Sequence, residues 1–527
     1  MKLKLENLDQ ILKVVDHGPE YDVKKLREDS IKDPKWLAFG SGNIFRGYIA
    51  RVNQDAINAG KEDRGISVVE SFDEEIIEKI YKPYDNLALS VTLHKDGNFD
   101  TNLIANLVES LTFKDLDRIR EIALNPNLEV MSFTITEKGY NLYGSDGEFI
   151  PVVKEDLEKG PKEAKHLMSV VTALLNERYK ANGKELTLLS MDNASHNGDL
   201  VKNSVMLIAK AWLEKGYVEE EFITYLEEKV AYPLSMIDKI TPRPAAEVQK
   251  HLEDLGFSEM EPVVTSKGSY VAGFVNSEEA EYLVIEDTFP NGRPAFEEGG
   301  VYMADRDTVN NVETMKVTTC LNPLHTVLAT YGCVLGHTLI AEEMEDPELL
   351  ALIKKIGYEE GLKVVVNPGI IDPKEFIDEV INVRFPNKFM PDTPQRIATD
   401  TSQKISVRFG QTIKGYMEDD KLVVADLKYI PLALAGWLRY LLGVNDEGEA
   451  FELSNDPMMD YLQESLEGIS LGAFKVTEGL RDLLRNEKIF GVNLEEVGLD
   501  ESVIKYFEEL SSGKRSVRAT LKKYLGE

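Results

Sequence analysis

"WLAFGSGNIFRGYIA", Trp36 to Ala50, decides how the first half of this chain folds. Four residues with strand character lead into Gly40-Ser41-Gly42, and an apolar-periodic helix follows directly. Glycines at such a junction allow a tight turn and let backbone N–H groups approach a pyrophosphate at the helix N-terminus. Gly40, Gly42, Asn43 and Ile44 are therefore the candidate cofactor contacts. The fingerprint is incomplete, because the third glycine of G-x-G-x-x-G falls on Phe45 and Gly47 comes two residues later. Alone, the stretch fits a glycine turn in a non-nucleotide α/β domain nearly as well.

The next segment, "ISVVES", strengthens the nucleotide reading. It reads as a β-branched strand ending in Glu70, a carboxylate placed to accept hydrogen bonds from adenosine ribose hydroxyls. The same charge repels a 2′-phosphate, which favours NAD over NADP. Glu70 lies 28 residues beyond Gly42 instead of about 20, and the polar insertion "NAGKEDRG" accounts for the excess. A solvated acid at a strand end is the simpler alternative.

Working outward, "NLALSVTLH", "LEVMSFTIT", "KELTLLSMDN" and "AEYLVIEDTF" read as further strands, and "TNLIANLVESLTFKDLDRIREIAL" as helix. Strand alternating with helix implies parallel pairing in an α/β sheet. Beyond about residue 301 the pattern turns helical with acidic outer faces, with one possible strand at "DKLVVADLKYI". The expected organisation is an N-terminal arm over 1–30, a Rossmann-type α/β domain with an extended, mostly parallel sheet over 31–300, and a mostly α-helical substrate-binding domain over 301–527.

Composition narrows the function. With 60 Lys plus Arg against 92 Asp plus Glu, the net charge of −32 repels a phosphate backbone, so nucleic acid is not an expected partner. The two cysteines are too few for a disulfide framework or a Cys-rich zinc site and fit a reducing cytosol. No secretory signal and no membrane-spanning run is visible. The most apolar stretch, "YIPLALAGWLRYLLG", contains Pro431 and Arg439 and reads as a buried helix. A soluble cytoplasmic protein acting on a small molecule is expected.

Open α/β sheets bind ligands beyond the carboxyl ends of their strands. Three apparent strand ends carry dense polar sequence: "TITEKGY" with Thr136, "SMDNASHNGD" with Asp192, Asn193, His196 and Asn197, and "MIDKITPRP" with Asp238 and Arg243. Oxidising an alcohol by hydride transfer requires a proton acceptor and a stabiliser for the oxygen. No metal-ligand spacing exists to supply them. A lysine base with asparagine amides donating to the oxygen would serve, and Lys316, Asn322 and His325 in "MKVTTCLNPLH" supply those groups.

These motifs, in their order, resemble the polyol-specific long-chain dehydrogenases, the family of mannitol dehydrogenases, mannitol-phosphate dehydrogenases and uronate reductases. The resemblance spans nearly the whole chain: "GSGNIFRG", "TITEKGY", "DNASHNG", "MIDKITPRP", "VIEDTFPNGRP", "LNPLH", "RIATDTSQK" and "LALAGWLRYLLG". It implies a metal-independent, NAD(P)-dependent ketose or keto-acid reductase in which Lys316 is the acid/base. Asn322 and Asn197 would be oxyanion-binding amides, His325 a substrate hydroxyl ligand, and Asp238, Arg396 and Lys404 further substrate ligands. Family members of this type are often monomeric, and a monomer is expected.

One departure matters. The family places the lysine five residues before the asparagine and eight before the histidine; here the separations are six and nine. At about 100° per residue, an uninterrupted helix would put Lys316 and His325 on opposite sides. The chain between Lys316 and Pro323 is therefore expected to leave the regular helix, through a break or a π-bulge, with Asn322 as N-cap before Pro323. Arg396, Lys404, Arg408 and Arg243 favour an anionic substrate. The leading expectation is interconversion of D-fructuronate and D-mannonate. A polyol dehydrogenase of the mannitol 2-dehydrogenase type, a tagaturonate reductase, and a non-catalytic NAD-binding regulatory protein are the alternatives.

Overall fold

The computed structural model describes residues 1–526, which form two compact units, Met1–Asn310 and the residues from Asn311 onward. In the first unit, β1 (Trp36–Phe39) and β2 (Ile66–Glu70) pair in parallel. β3 (Ala88–Leu93) and β4 (Phe99–Ile104) leave that sheet, and β5 (Leu107–Thr112) rejoins it on the far side of β2. With β6 (Val130–Phe133), β7 (Leu186–Ser190) and the short β8 (Val230–Ala231), the order is β5-β2-β1-β6-β7-β8, parallel throughout. β1, β2, β6 and β7 are buried at every position, as a parallel sheet covered on both faces requires. The order reverses direction beside β1, where the Gly40–Gly42 turn emerges, and this switch point is where such sheets bind ligands.

Two smaller three-stranded sheets complete the unit. β9 (Ser235–Asp238) pairs antiparallel with β13 (Tyr282–Glu286), which pairs in parallel with β14 (Tyr302–Ala304). The hairpin of β10 (Val263–Val264) and β11 (Tyr270–Val271) leads into β12 (Phe274–Glu278), which lies parallel to β3 while β3 pairs antiparallel with β4. Three expectations are corrected here. The stretch expected as helix over 101–124 contains most of β4 and all of β5, with a 3-10 turn at Phe113–Asp115 and α-helix only from Leu116 to Ala123. "NLALSVTLH" and "AEYLVIEDTF" lie outside the parallel sheet. So does the strand ending at Asp238, leaving two of the three polar strand ends on one sheet edge.

The second unit is helical, and the segment "DKLVVADLKYI" forms a 3-10 turn at Val424–Asp426 in place of the strand expected there. Its core is built on the helices Asn322–Leu335, Tyr429–Tyr440 and Asp500–Leu510. Tyr331 Oη donates to Leu432 O, and Gly436 leaves room for the Tyr331 ring, since a Cβ there would lie 2.3 Å from it. Every residue of Ile430–Tyr440 is buried. Buried Arg439 satisfies itself on the carbonyls of Leu510, Val444 and Asn445, and Glu360 caps the helix through the N–H groups of Lys428, Tyr429 and Ile430. No helix among the described residues is long and apolar enough to cross a membrane.

Candidate active site

In the first unit, the glycine turn is held open. Gly40 has φ +102°, and a Cβ there would lie 2.1 Å from Thr134 O, so no other residue fits. Gly42 faces open space, with nothing within 4 Å of where its Cβ would be. Phe45, at the position of the missing third glycine, is buried, and a π-helical turn from Phe45 to Ile49 starts the helix that continues through Ala50–Asn58. Asn43 Oδ1 accepts from Arg46 Nη2 at 2.9 Å, and Ile44 is partly exposed beside it. A cradle free of Cβ atoms at a helix start is the surface a pyrophosphate needs.

Glu70 braces this cradle. One carboxylate oxygen accepts from Ser41 N and Ser41 Oγ, the other from Phe72 N and Asp73 N at 2.9 and 3.0 Å. The sequence points to Glu70 for the ribose; the structure also gives it the work of joining the glycine turn to the loop after β2. Ser41, which the sequence reading passed over, is half of that joint.

Beyond β6, Thr134 N donates to Phe39 O and Thr136 adopts φ +63°, ψ 162°, a conformation that costs a β-branched residue about 1–3 kcal/mol. Asp192 holds it there by accepting from Ile135 N at 2.9 Å, Thr136 N at 2.8 Å and Tyr140 Oη. Burial raises the Asp192 carboxyl above its ordinary range, and these hydrogen bonds oppose the rise. Asn193 is exposed next to it, while Asp238 is buried at the end of β9.

Asn197 differs from its expected role. It is fully buried, its Nδ2 donates to Asp192 O at 3.0 Å and Ser235 Oγ at 2.9 Å, and its Oδ1 accepts from Ser235 N. Both amide hydrogens are committed inside the protein, so Asn197 joins β7 to β9 in place of presenting a donor to substrate. The burial follows from Gly198, which brings the helix Asn197–Glu214 so near the 232–233 segment that a Cβ would lie 2.5 Å from Pro233 O.

In the second unit, Lys316 is buried and begins a π-helical turn, Lys316–Cys320. Leu321 then breaks the helix with φ −129°, ψ −62°, and the α-helix restarts at Asn322. The departure from a regular helix called for by the six-residue spacing is present. A π-turn alone does not mark a site, since others occur at Ile77–Tyr81 and Lys355–Glu360. The capping expectation is corrected: Leu321 occupies the cap position, and the Asn322 side chain makes no capping bond. The Asn322 amide, partly exposed, has no hydrogen-bond partner among the described residues, which leaves it free to donate to a ligand.

His325 packs at a tilt against Phe385 with ring centroids 5.0 Å apart, and its Nε2 lies 3.6 Å from Asp392 Oδ2. Arg396 also pairs with Asp392. Lys404 donates to Thr399 O, and burial followed by the charge of Arg408 pulls its amine below the ordinary lysine range. Among the described residues, no group of three or more His, Cys, Asp or Glu is placed to hold a metal ion.

A parallel sheet with a glycine cradle at its switch point, followed by a helical unit, is the architecture of a two-unit Rossmann dehydrogenase. The chain belongs to the mannitol dehydrogenase family: residues 34–298 match the mannitol dehydrogenase Rossmann domain and 308–511 the mannitol dehydrogenase C-terminal domain. It is 50% identical to the D-mannonate oxidoreductase of Thermotoga maritima over 515 residues, 96% of this chain and 95% of the relative. It is 28% identical to the polyol:NADP oxidoreductase of Gluconobacter oxydans over 484 residues, 89% of this chain and 92% of the relative. A crystal structure of D-sorbitol dehydrogenase in substrate-free form matches with a TM-score of 0.81 at 26% identity, over 99% of this chain and all of that one.

Proposed function

We propose that this oxidoreductase interconverts D-fructuronate and D-mannonate with NAD(H). The observation that carries the substrate is the 50% identity, end to end, with a D-mannonate oxidoreductase. The cradle at Gly40 and Gly42 accepts the pyrophosphate, and the carboxylate of Glu70 at the end of β2 disfavours a 2′-phosphate. When bound, NADH supplies the hydride. Lys316 gives its proton to the keto oxygen in reduction and takes it back in oxidation. The free Asn322 amide donates to that oxygen as charge develops on it. His325, oriented by Phe385 and Asp392, binds a substrate hydroxyl, and Arg396 and Lys404 bind the remainder of the sugar.

The test follows NADH absorbance with D-fructuronate, tagaturonate and D-fructose in parallel. Oxidation fastest with fructuronate is expected. A preference for fructose would reassign the chain as a polyol dehydrogenase, and no oxidation with any of the three would overturn the enzymatic reading.

A further inference from the structure

Buried cations in this protein are generally matched. Arg439 and Arg178 are wrapped in backbone carbonyls, and Arg518 pairs with Asp346 and Glu348. Among the described residues, half-buried Arg408 is an exception in the second unit. It lies in the π-helical turn Ser406–Gly410, and its guanidinium makes one hydrogen bond, from Nη1 to Thr326 Oγ1. No acidic side chain among the described residues pairs with it, and burial alone brings it down to about 10. Lys404 sits one turn earlier, its carbonyl accepting from Arg408 N at 2.9 Å. The nearby Asp456 is committed to Ser402 N, Ser402 Oγ and Met458 N.

Two like charges near one another in a partly desolvated place cost free energy that an anion between them recovers. A guanidinium has five N–H donors in a planar fork suited to a carboxylate. Arg408 uses one of them on the protein and is only half-buried, so the rest remain open to a ligand.

Thr326 fixes where that anion would be. Its hydroxyl donates to Asn322 O at 2.9 Å, one helical turn back on the same face. The Arg408 fork therefore meets the helix about 6 Å along its axis from Asn322. In open-chain fructuronate the keto carbon and the carboxylate are separated by four carbon–carbon bonds, about 5 Å when extended. A sugar acid with its keto oxygen at Asn322 brings its carboxylate to Arg408.

We propose that Arg408 determines substrate class by binding the terminal carboxylate of the sugar acid, one helical turn from the Asn322 amide that holds the keto oxygen. This rests on the sugar-acid reading of the site given above.

The experiment compares kcat/KM for D-fructuronate and for uncharged D-fructose, which carries the same keto carbon, in the parent, Arg408→Met and Arg408→Lys. Arg408→Met is expected to lower the acid-over-neutral ratio about a hundredfold, chiefly through the KM for fructuronate. Arg408→Lys, which keeps the charge without the fork, is expected to recover about a tenth of the parental ratio. NADH affinity reports that each variant is folded; if Arg408→Met fails that check, Thr326→Val, which removes the hydroxyl holding the fork, must lower the ratio in its place. A ratio that moves less than threefold in the folded variants overturns the proposal and leaves the sugar-acid reading standing. A parent protein inactive on fructuronate overturns both.

Discussion

Glu343 offers a quantitative test of the helical unit. Its side chain is fully buried, neither carboxyl oxygen has a hydrogen-bond partner among the described residues, and the group rests on the helix Asn322–Leu335 where Gly332 leaves room. A Cβ at Gly332 would lie 1.7 Å from Glu343 Oε1. Burial, followed by the charges of Asp346 and Glu342, raises this carboxyl well above its ordinary 4.5. A carboxyl whose folded value lies above its unfolded value binds its proton more tightly in the folded state. The stability it allows is complete below the unfolded value and is lost as pH rises towards the folded one. Each pH unit in that window costs about 1.4 kcal/mol. Glu343→Gln keeps the shape and removes the titration, and the buried amide and the buried neutral acid bear comparable desolvation costs. Thermal melts of both proteins from pH 5 to pH 8 should show a gap that is small at pH 5 and widens with pH. Within that window the variant should gain about 3–6 °C over the parent per pH unit, at about 2–4 °C per kcal/mol for a unit of this size. A gap independent of pH, or a variant less stable throughout, would refute the reasoning.

Further outcomes are expected at the cofactor site. Gly40→Ala forces a Cβ onto Thr134 O at a φ of +102°, and NADH titration by fluorescence should show affinity lost by about a hundredfold or more. Asp192→Asn exchanges one of the acceptors that hold Thr136 at φ +63° for an amide N–H. The KM for NADH should rise about tenfold with a smaller change in kcat. Adding Thr136→Gly to that variant should return part of the loss, because glycine holds the conformation without help; no change in KM on Asp192→Asn would remove Asp192 from the site.

The glycine turn, the acid after β2 and the buried Pro431 helix were legible because each rests on local chemistry: a backbone angle, a strand end, an unbroken apolar run. The stretch 101–124 misled because Leu103, Ile104, Leu107, Val108 and Leu111 recur at helical intervals, yet all five belong to the two strands β4 and β5. "DKLVVADLKYI" carries β-branched residues but has no neighbouring strand to pair with, and Val423 is left exposed. The irregular turn at Lys316 was readable from the family resemblance and the spacing together, since the resemblance puts Lys316, Asn322 and His325 in one site and no regular helix brings residues six and nine apart onto one face. Asn197 was not readable as a buried joint. Its neighbour Gly198 held the only local sign, a glycine where two segments pass closely. Arg408 could be noted in the sequence as a cation, but its lack of an acidic partner exists only in three dimensions.

The most direct test of the central chemistry is turnover of D-fructuronate by Lys316→Ala, measured beside its affinity for NADH. NADH should bind within about threefold of the parent while kcat falls about a thousandfold, with added methylamine restoring part of the rate. Turnover at the parental rate would show that the proton comes from another group and that Lys316 is a structural lysine.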